Sequence, residues 1–168
     1  METPRQHPLW FNFFAPKDDP TTELCKLWNA TSLFEGIPEK SLRQLVDNMH
    51  SRSFQAGETI FSAGELGAGA IMIRSGGVAI HAGDNPLTEL TRGDFFGESA
   101  LVENEPRTAT ATAQQDSELV FFLQTTLQEW MEHSTHHGAR FVLNLSRVLA
   151  ARLRHANAQI ENASSHVR

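Results

Sequence analysis

Apolar positions along the chain change rhythm twice, and the changes mark out three regions. Pro20 opens a helical pattern, with Asp19 placed to cap it and Leu24, Leu27 and Trp28 on one stripe. A second short helix is predicted from about Pro38, with Leu42, Leu45, Val46 and Met49 at helical spacing. From about Ser51 the spacing shortens, and glycines at 57, 64, 67, 69, 76, 77, 83, 93 and 97 punctuate brief apolar runs. That punctuation predicts many short antiparallel strands. Ile71 and Ile73 alternate before the Gly76-Gly77 pair, and Val78 and Ile80 alternate after it, as in a tight hairpin. Arg107 to Ala113 alternates threonine with alanine, and Leu119 to Leu123 supplies a further strand. Helical spacing returns at Thr126, which can form a capping box with Glu129. Beyond Gly138, Val142, Leu145, Leu149, Leu153, Ala156 and Ile160 form one continuous stripe.

The predicted fold is mainly β with flanking helices: an antiparallel β-roll or jelly-roll barrel, short N-terminal helices and a long C-terminal helix. The expected divisions are an irregular extension at 1–19, a domain at 20–163 and a tail at 164–168. Within the domain the roll spans about 51–124, and helices span about 126–133 and 136–161. Four of the seven prolines fall in the first 20 residues, which marks the extension. Its cluster Trp10, Phe11, Phe13 and Phe14 reads as a strap on this domain or on a partner.

Composition narrows the possible partners. With 168 residues, 40% hydrophobic and 20% charged, the chain can bury a sizeable core. A net charge of −6 argues against general affinity for nucleic acid or an anionic membrane, so an anionic ligand needs locally arranged positive groups. The single cysteine, Cys25, cannot form an internal disulfide, which fits a reducing cytoplasm. His133, His136 and His137 cluster without a nearby ligand of another type and read as solvated. The expectation is therefore no metal, no DNA binding by this chain and no membrane.

The stretch Gly93-Asp94-Phe95-Phe96-Gly97-Glu98-Ser99-Ala100-Leu101, followed by Pro106-Arg107-Thr108-Ala109, carries the candidate chemistry. A glycine entering a short helical turn lets backbone approach an anion, and the N–H groups of Ser99 and Ala100 can point outward. Arg107 adds a permanent planar fork suited to two phosphate oxygens. Glu98 can accept a hydrogen bond from a sugar hydroxyl, a combination that suits a ribose phosphate. The plain alternative is that Glu98 and Arg107 pair across a turn.

These residues resemble the phosphate-binding cassette of cyclic-nucleotide-binding domains, the family of catabolite activator proteins, kinase regulatory subunits and gated channels. The similarity extends upstream through Phe54, Gly57, Gly64 and the Ile71–Ile80 hairpin. It implies a non-catalytic receptor in which Glu98 binds the ribose 2′-hydroxyl and Arg107 the cyclic phosphate. Phe96, Gly97, Ser99, Ala100, Thr108 and Ala109 would line the same pocket. The family's bacterial regulators place hydroxyls on the long helix against adenine, and this chain has Ala156 and Asn157 there. Asn157 can bond to either purine and Arg154 can lie over a base face. Thr108 matches a hydroxyl of cyclic-GMP-selective kinases, but cyclic AMP (cAMP) is the favoured ligand and cyclic GMP (cGMP) the second choice.

Only eight residues follow Ile160, so no helix-turn-helix is expected after the long helix. Occupancy would pass through that helix to a homodimer partner or a separate effector, with the stripe through Leu145 and Leu149 meeting either another chain or the chain's own barrel. The competing readings are a scaffold that has lost its ligand and a cupin-like enzyme. The latter needs clustered metal ligands that the strand segments lack.

Overall fold

A computed structural model describes residues 19–165, with side chains through 162. The N-terminal aromatic cluster lies outside the described residues. Two helices, α1 (Pro20–Asn29) and α2 (Glu39–Val46), flank a 3-10 turn at Ser32–Phe34. Eight strands follow: β1 (His50–Phe54), β2 (Thr59–Phe61), β3 (Gly69–Ser75), β4 (Gly77–Ala82), β5 (Asn85–Thr91), β6 (Phe95–Phe96), β7 (Thr110–Ala113) and β8 (Ser117–Leu123). A second 3-10 turn, Glu98–Leu101, separates β6 from β7. Helices α3 (Gln124–His133) and α4 (Thr135–Ser165) complete the described chain.

The strands form two antiparallel sheets, ordered β1-β8-β3-β6 and β2-β7-β4-β5. The first sheet is covered on both faces, which explains the unbroken apolar run in β3. Ile71 and Ile73 face the second sheet with Leu119, Val78, Ala111 and Ala113. Ala70 and Met72 face the helices with Val120 and Phe122. Period-two geometry thus divides one strand between two cores. The second sheet has one wet face, and β7 shows it: Ala111 and Ala113 are buried while Thr110 and Thr112 are half-buried. Gly69 lets β3 approach β8, since a Cβ there would lie 2.8 Å from Leu123 Cα.

The helical layer closes around aromatic rings. Trp28 meets Phe34 and Phe122 edge-on at 5.7 and 5.9 Å between centroids. Phe141 of α4 packs against Phe34 at 5.2 Å between centroids, with the rings tilted by 53°. Asn144 anchors α4 by donating to the carbonyls of Leu33 and Glu35 at 3.0 and 2.9 Å. Trp130 Nε1 donates to Ser41 O at 3.1 Å, tying α3 to α2.

Several expectations need correction. Asp19 sits at the N-cap of α1, but its carboxylate pairs with Arg43 at 2.9 Å instead of capping. The helix expected at Thr126 starts at Gln124 without a side-chain cap, so Thr126 and Glu129 lie inside it. The long helix begins at Thr135, one residue before the expected start near 136. Gly138 is a contact residue, where a Cβ would meet Met131 Cγ at 2.8 Å. The buried face of α4 is Phe141, Asn144, Leu145 and Val148. From the expected stripe, Leu145 covers the chain's own core, whereas Val142, Leu153 and Ile160 are exposed. The helix buries side chains through its first four turns, and beyond them its side chains are exposed. Among the described residues, no helix is long and apolar enough to cross a membrane, and no three His, Cys, Asp or Glu cluster as metal ligands.

Candidate functional site

β6 pairs with β3 in the register Ile71↔Phe96, which delivers the chain to Gly97 at the end of the inner core. Gly97 adopts φ 70° and ψ 18°, a left-handed conformation that turns the backbone into the 3-10 segment. Ser99 and Ala100 follow. The Ala100 N–H donates to Gly97 O at 3.2 Å, so it closes the turn instead of pointing outward as expected.

Arg107 arrives from the other side. Its backbone N–H donates to Glu65 O at 2.7 Å, and its carbonyl accepts from Gly64 N at 2.8 Å. These bonds fix where its side chain starts. The guanidinium donates through Nη1 to Gly97 O at 3.0 Å and through Nη2 to Gly69 O at 2.9 Å. It lies 4.4 Å from the centre of the Phe61 ring. Gly67 and Gly97 leave the room this requires: a Cβ on Gly67 would lie 3.0 Å from Arg107 Cζ, and one on Gly97 would collide with Nη1. Burial lowers the Arg107 pKa and the nearby Glu98 charge partly offsets that, yet a guanidinium remains charged at any physiological pH.

Glu98 and Arg107 do not pair with each other. The Glu98 carboxylate, only 5% exposed, accepts from Arg152 Nη1 of α4 at 2.7 Å. Arg152 also donates through Nη2 to Phe95 O at 2.8 Å and lies 5.2 Å from the Phe95 ring centre. One side chain thus connects the long helix to the strand before the turn and to the acid within it.

Between the turn, Arg107, the second sheet and α4 lies an open cavity of about 1030 Å³. Phe96, Gly97, Glu98, Ser99, Ala100, Arg107, Thr108 and Ala109 all line it. Arg154 and Asn157 do not; they are exposed elsewhere on α4, and the face turned to the cavity is Ala151, Arg152, His155, Ala156 and Gln159. The correction is one of helical phase, since neighbouring positions point about 100° apart. Sequence reasoning also missed the apolar wall of Phe61, Ile80, Leu87 and Leu90. No local signal singles out Arg152, which reaches Glu98 across 54 positions. The cavity combines one buried acceptor, one clamped cation and an apolar wall, a set that fits an anionic ligand with a hydroxyl and a flat apolar part.

Comparison with known proteins agrees. The family model described as the cyclic nucleotide-binding domain matches residues 51–134, half of the chain. The chain belongs to the cyclic nucleotide-binding domain family. It is 30% identical over 130 residues to a CRP-like cAMP-activated global transcriptional regulator of Mycobacterium tuberculosis, covering 74% of this chain and 56% of the regulator. It is 33% identical over 86 residues to a cGMP-dependent protein kinase of Eimeria tenella, covering 51% of this chain and 9% of the kinase. It therefore spans just over half the length of the first relative and a small part of the second. Its fold is similar to the catabolite activator protein of Thermus thermophilus, with a TM-score of 0.69, 27% identity and coverage of 80% of this chain and 63% of that one.

Proposed function

We propose that the chain is a non-catalytic cyclic-nucleotide sensor that takes cAMP in preference to cGMP. Arg107 receives the cyclic phosphate, and Glu98 accepts the ribose 2′-hydroxyl. Phe96, Gly97, Ser99, Ala100, Thr108 and Ala109 shape the floor between them. The observation that carries this reading is the clamped guanidinium of Arg107. Two of its five N–H groups are spent on backbone carbonyls, and the rest have no partner among the described residues. A charge fixed in a half-buried position beside an open cavity is suited to a phosphate. The preference for cAMP draws support from the M. tuberculosis relative, whose similarity extends over more of this chain than that of the kinase.

Occupancy is relayed through Arg152. Any group hydrogen-bonding to Glu98 competes with, or reinforces, the bond that holds α4 to the turn. Beyond that bond α4 exposes Leu153 at 63% and Ile160 at 64%, a surface for a second copy or an effector. Isothermal titration with cAMP and cGMP tests the reading. Arg107→Ala should weaken binding by about 2–5 kcal/mol. A wild-type chain that binds neither nucleotide would refute it.

A further inference from the structure

Among the described residues, five Asp, Glu, Lys or Arg side chains line the cavity: the carboxylates of Glu98, Glu103 and Glu105 and the guanidiniums of Arg107 and Arg152. Glu98 and Arg152 neutralise each other at 2.7 Å. Arg107 is then the one uncompensated cation of the set, and it stands against two carboxylates in the loop that leads to it from the 3-10 turn. A site for an anion thus holds more negative charge than positive, in a chain whose net charge is already −6. Both acids start from anchored backbone. The Glu103 N–H donates to Ser99 O at 3.1 Å, which ties it to the floor of the cavity. Pro106, next to Glu105, bridges to Leu66. Glu103 and Glu105 are exposed, and neither enters an ion pair among the described residues.

We infer that Glu103 and Glu105 form a charge filter, which admits a ligand with one negative charge and turns away ligands with two or more. The inference rests on the sensor reading above. A cyclic phosphate is a diester with a single charge, which Arg107 balances. A phosphate monoester carries about −1.5 to −2 at pH 7, so its second charge meets two carboxylates and no further free cation. Removing a doubly charged group from water is also costlier than removing a singly charged one. Non-cyclic nucleotides share the base and ribose of the cyclic ligand, so neither the apolar wall nor Glu98 gives a ground for rejecting them. The rim acids do. A pair of unit charges about 10 Å apart changes affinity about twofold at the dielectric of water, and more where protein displaces solvent. Two carboxylates acting on one extra charge should therefore discriminate by about four- to fifteenfold.

Displacement of bound cAMP at low salt, without divalent cations, tests this with two competitors. One is adenosine 5′-monophosphate (AMP). The other is its methyl phosphate ester, non-cyclic like AMP but singly charged like cAMP. Wild type should bind the ester more tightly than AMP. The double variant Glu103→Gln with Glu105→Gln should shift that preference toward AMP by about four- to fifteenfold. The ratio of cAMP to ester affinity, which reports ring closure at constant charge, should stay within about twofold. Glu103→Asp with Glu105→Asp keeps both charges and should keep the wild-type preference. Both positions are exposed, so thermal melts of the variants should match wild type. An ester-to-AMP ratio unchanged in the glutamine variant, with cAMP binding intact and still dependent on Arg107, overturns the filter alone. So does a wild type that prefers AMP to the ester, or AMP that competes against neither protein, since shape would then exclude it. Failure of wild type to bind either cyclic nucleotide brings down the sensor reading, and this one with it.

Discussion

Replacing Gly97 with alanine strikes two features at once, and the structure separates their costs. The first is backbone: φ is 70°, and a Cβ there costs about 1–2 kcal/mol. The second is steric, because the new methyl would occupy the space of Arg107 Nη1. The guanidinium must move, which threatens its bonds to Gly97 O and Gly69 O. Losing one charge-assisted bond costs about 1.5–3 kcal/mol. The combined loss is then about 2.5–5 kcal/mol, or a fall in Tm of about 5–20 °C for a domain of this size. Gly57→Ala provides the control. Its φ is 84° and nothing lies within 4 Å of the added Cβ, so only the backbone cost applies. Urea denaturation of the two variants beside wild type yields both values. The difference between them, about 1.5–3 kcal/mol, measures the restraint on Arg107. Equal losses would refute the claim that Gly97 is there to make room for the guanidinium.

Three further outcomes follow from other contacts. Asn144→Leu keeps the volume but strands the carbonyls of Leu33 and Glu35, and should cost about 1–3 kcal/mol in the same urea assay. Arg152→Leu leaves the Glu98 carboxylate, 5% exposed, without its cation and should destabilise the chain by about 1.5–3 kcal/mol at neutral pH; a change near zero would mean the pair holds nothing together. Hydrogen bonds from Arg74 and Arg92 hold the Glu23 carboxyl below its ordinary 4.5. Its contribution is therefore present above pH 4.5 and is lost as the pH falls through the lower folded value. Glu23→Gln should remove that part of the acid-side loss of Tm, leaving a shallower decline below pH 4.5 than in wild type.

What the sequence discloses depends on whether a feature is local. The Thr-Ala alternation of β7 is legible, because strand periodicity acts over a few residues. The tight hairpin expected at Gly76-Gly77 does not form: β3 pairs with β8 and β6, β4 pairs with β7 and β5, and Gly76 at φ 93° turns the chain from one sheet to the other. Glu98 and Arg107 are legible as a pair of chemical types in one short stretch. The reason for Gly138 is not, because it lies in the closeness of Met131 on another helix. The packed face of α4 is likewise hidden. Its apolar positions suit two neighbouring stripes, and only the tertiary position of Phe34 decides that Phe141 and Val148 turn inward. Arg154 and Asn157 fall outside the cavity for the same reason, since one or two helical positions separate a cavity residue from a solvated one.

The clamp on Arg107 bears on the thermodynamics of binding. An arginine free in solvent surrenders up to about 2 kcal/mol of rotamer entropy when it grips an anion. Here two carbonyls and the Phe61 ring have already selected one rotamer, so that ordering accompanies folding. An arriving phosphate meets a charge that does not have to be arranged, and more of the contact energy appears as affinity. A clamp loosened without change to Arg107 itself should therefore make the entropy of binding less favourable.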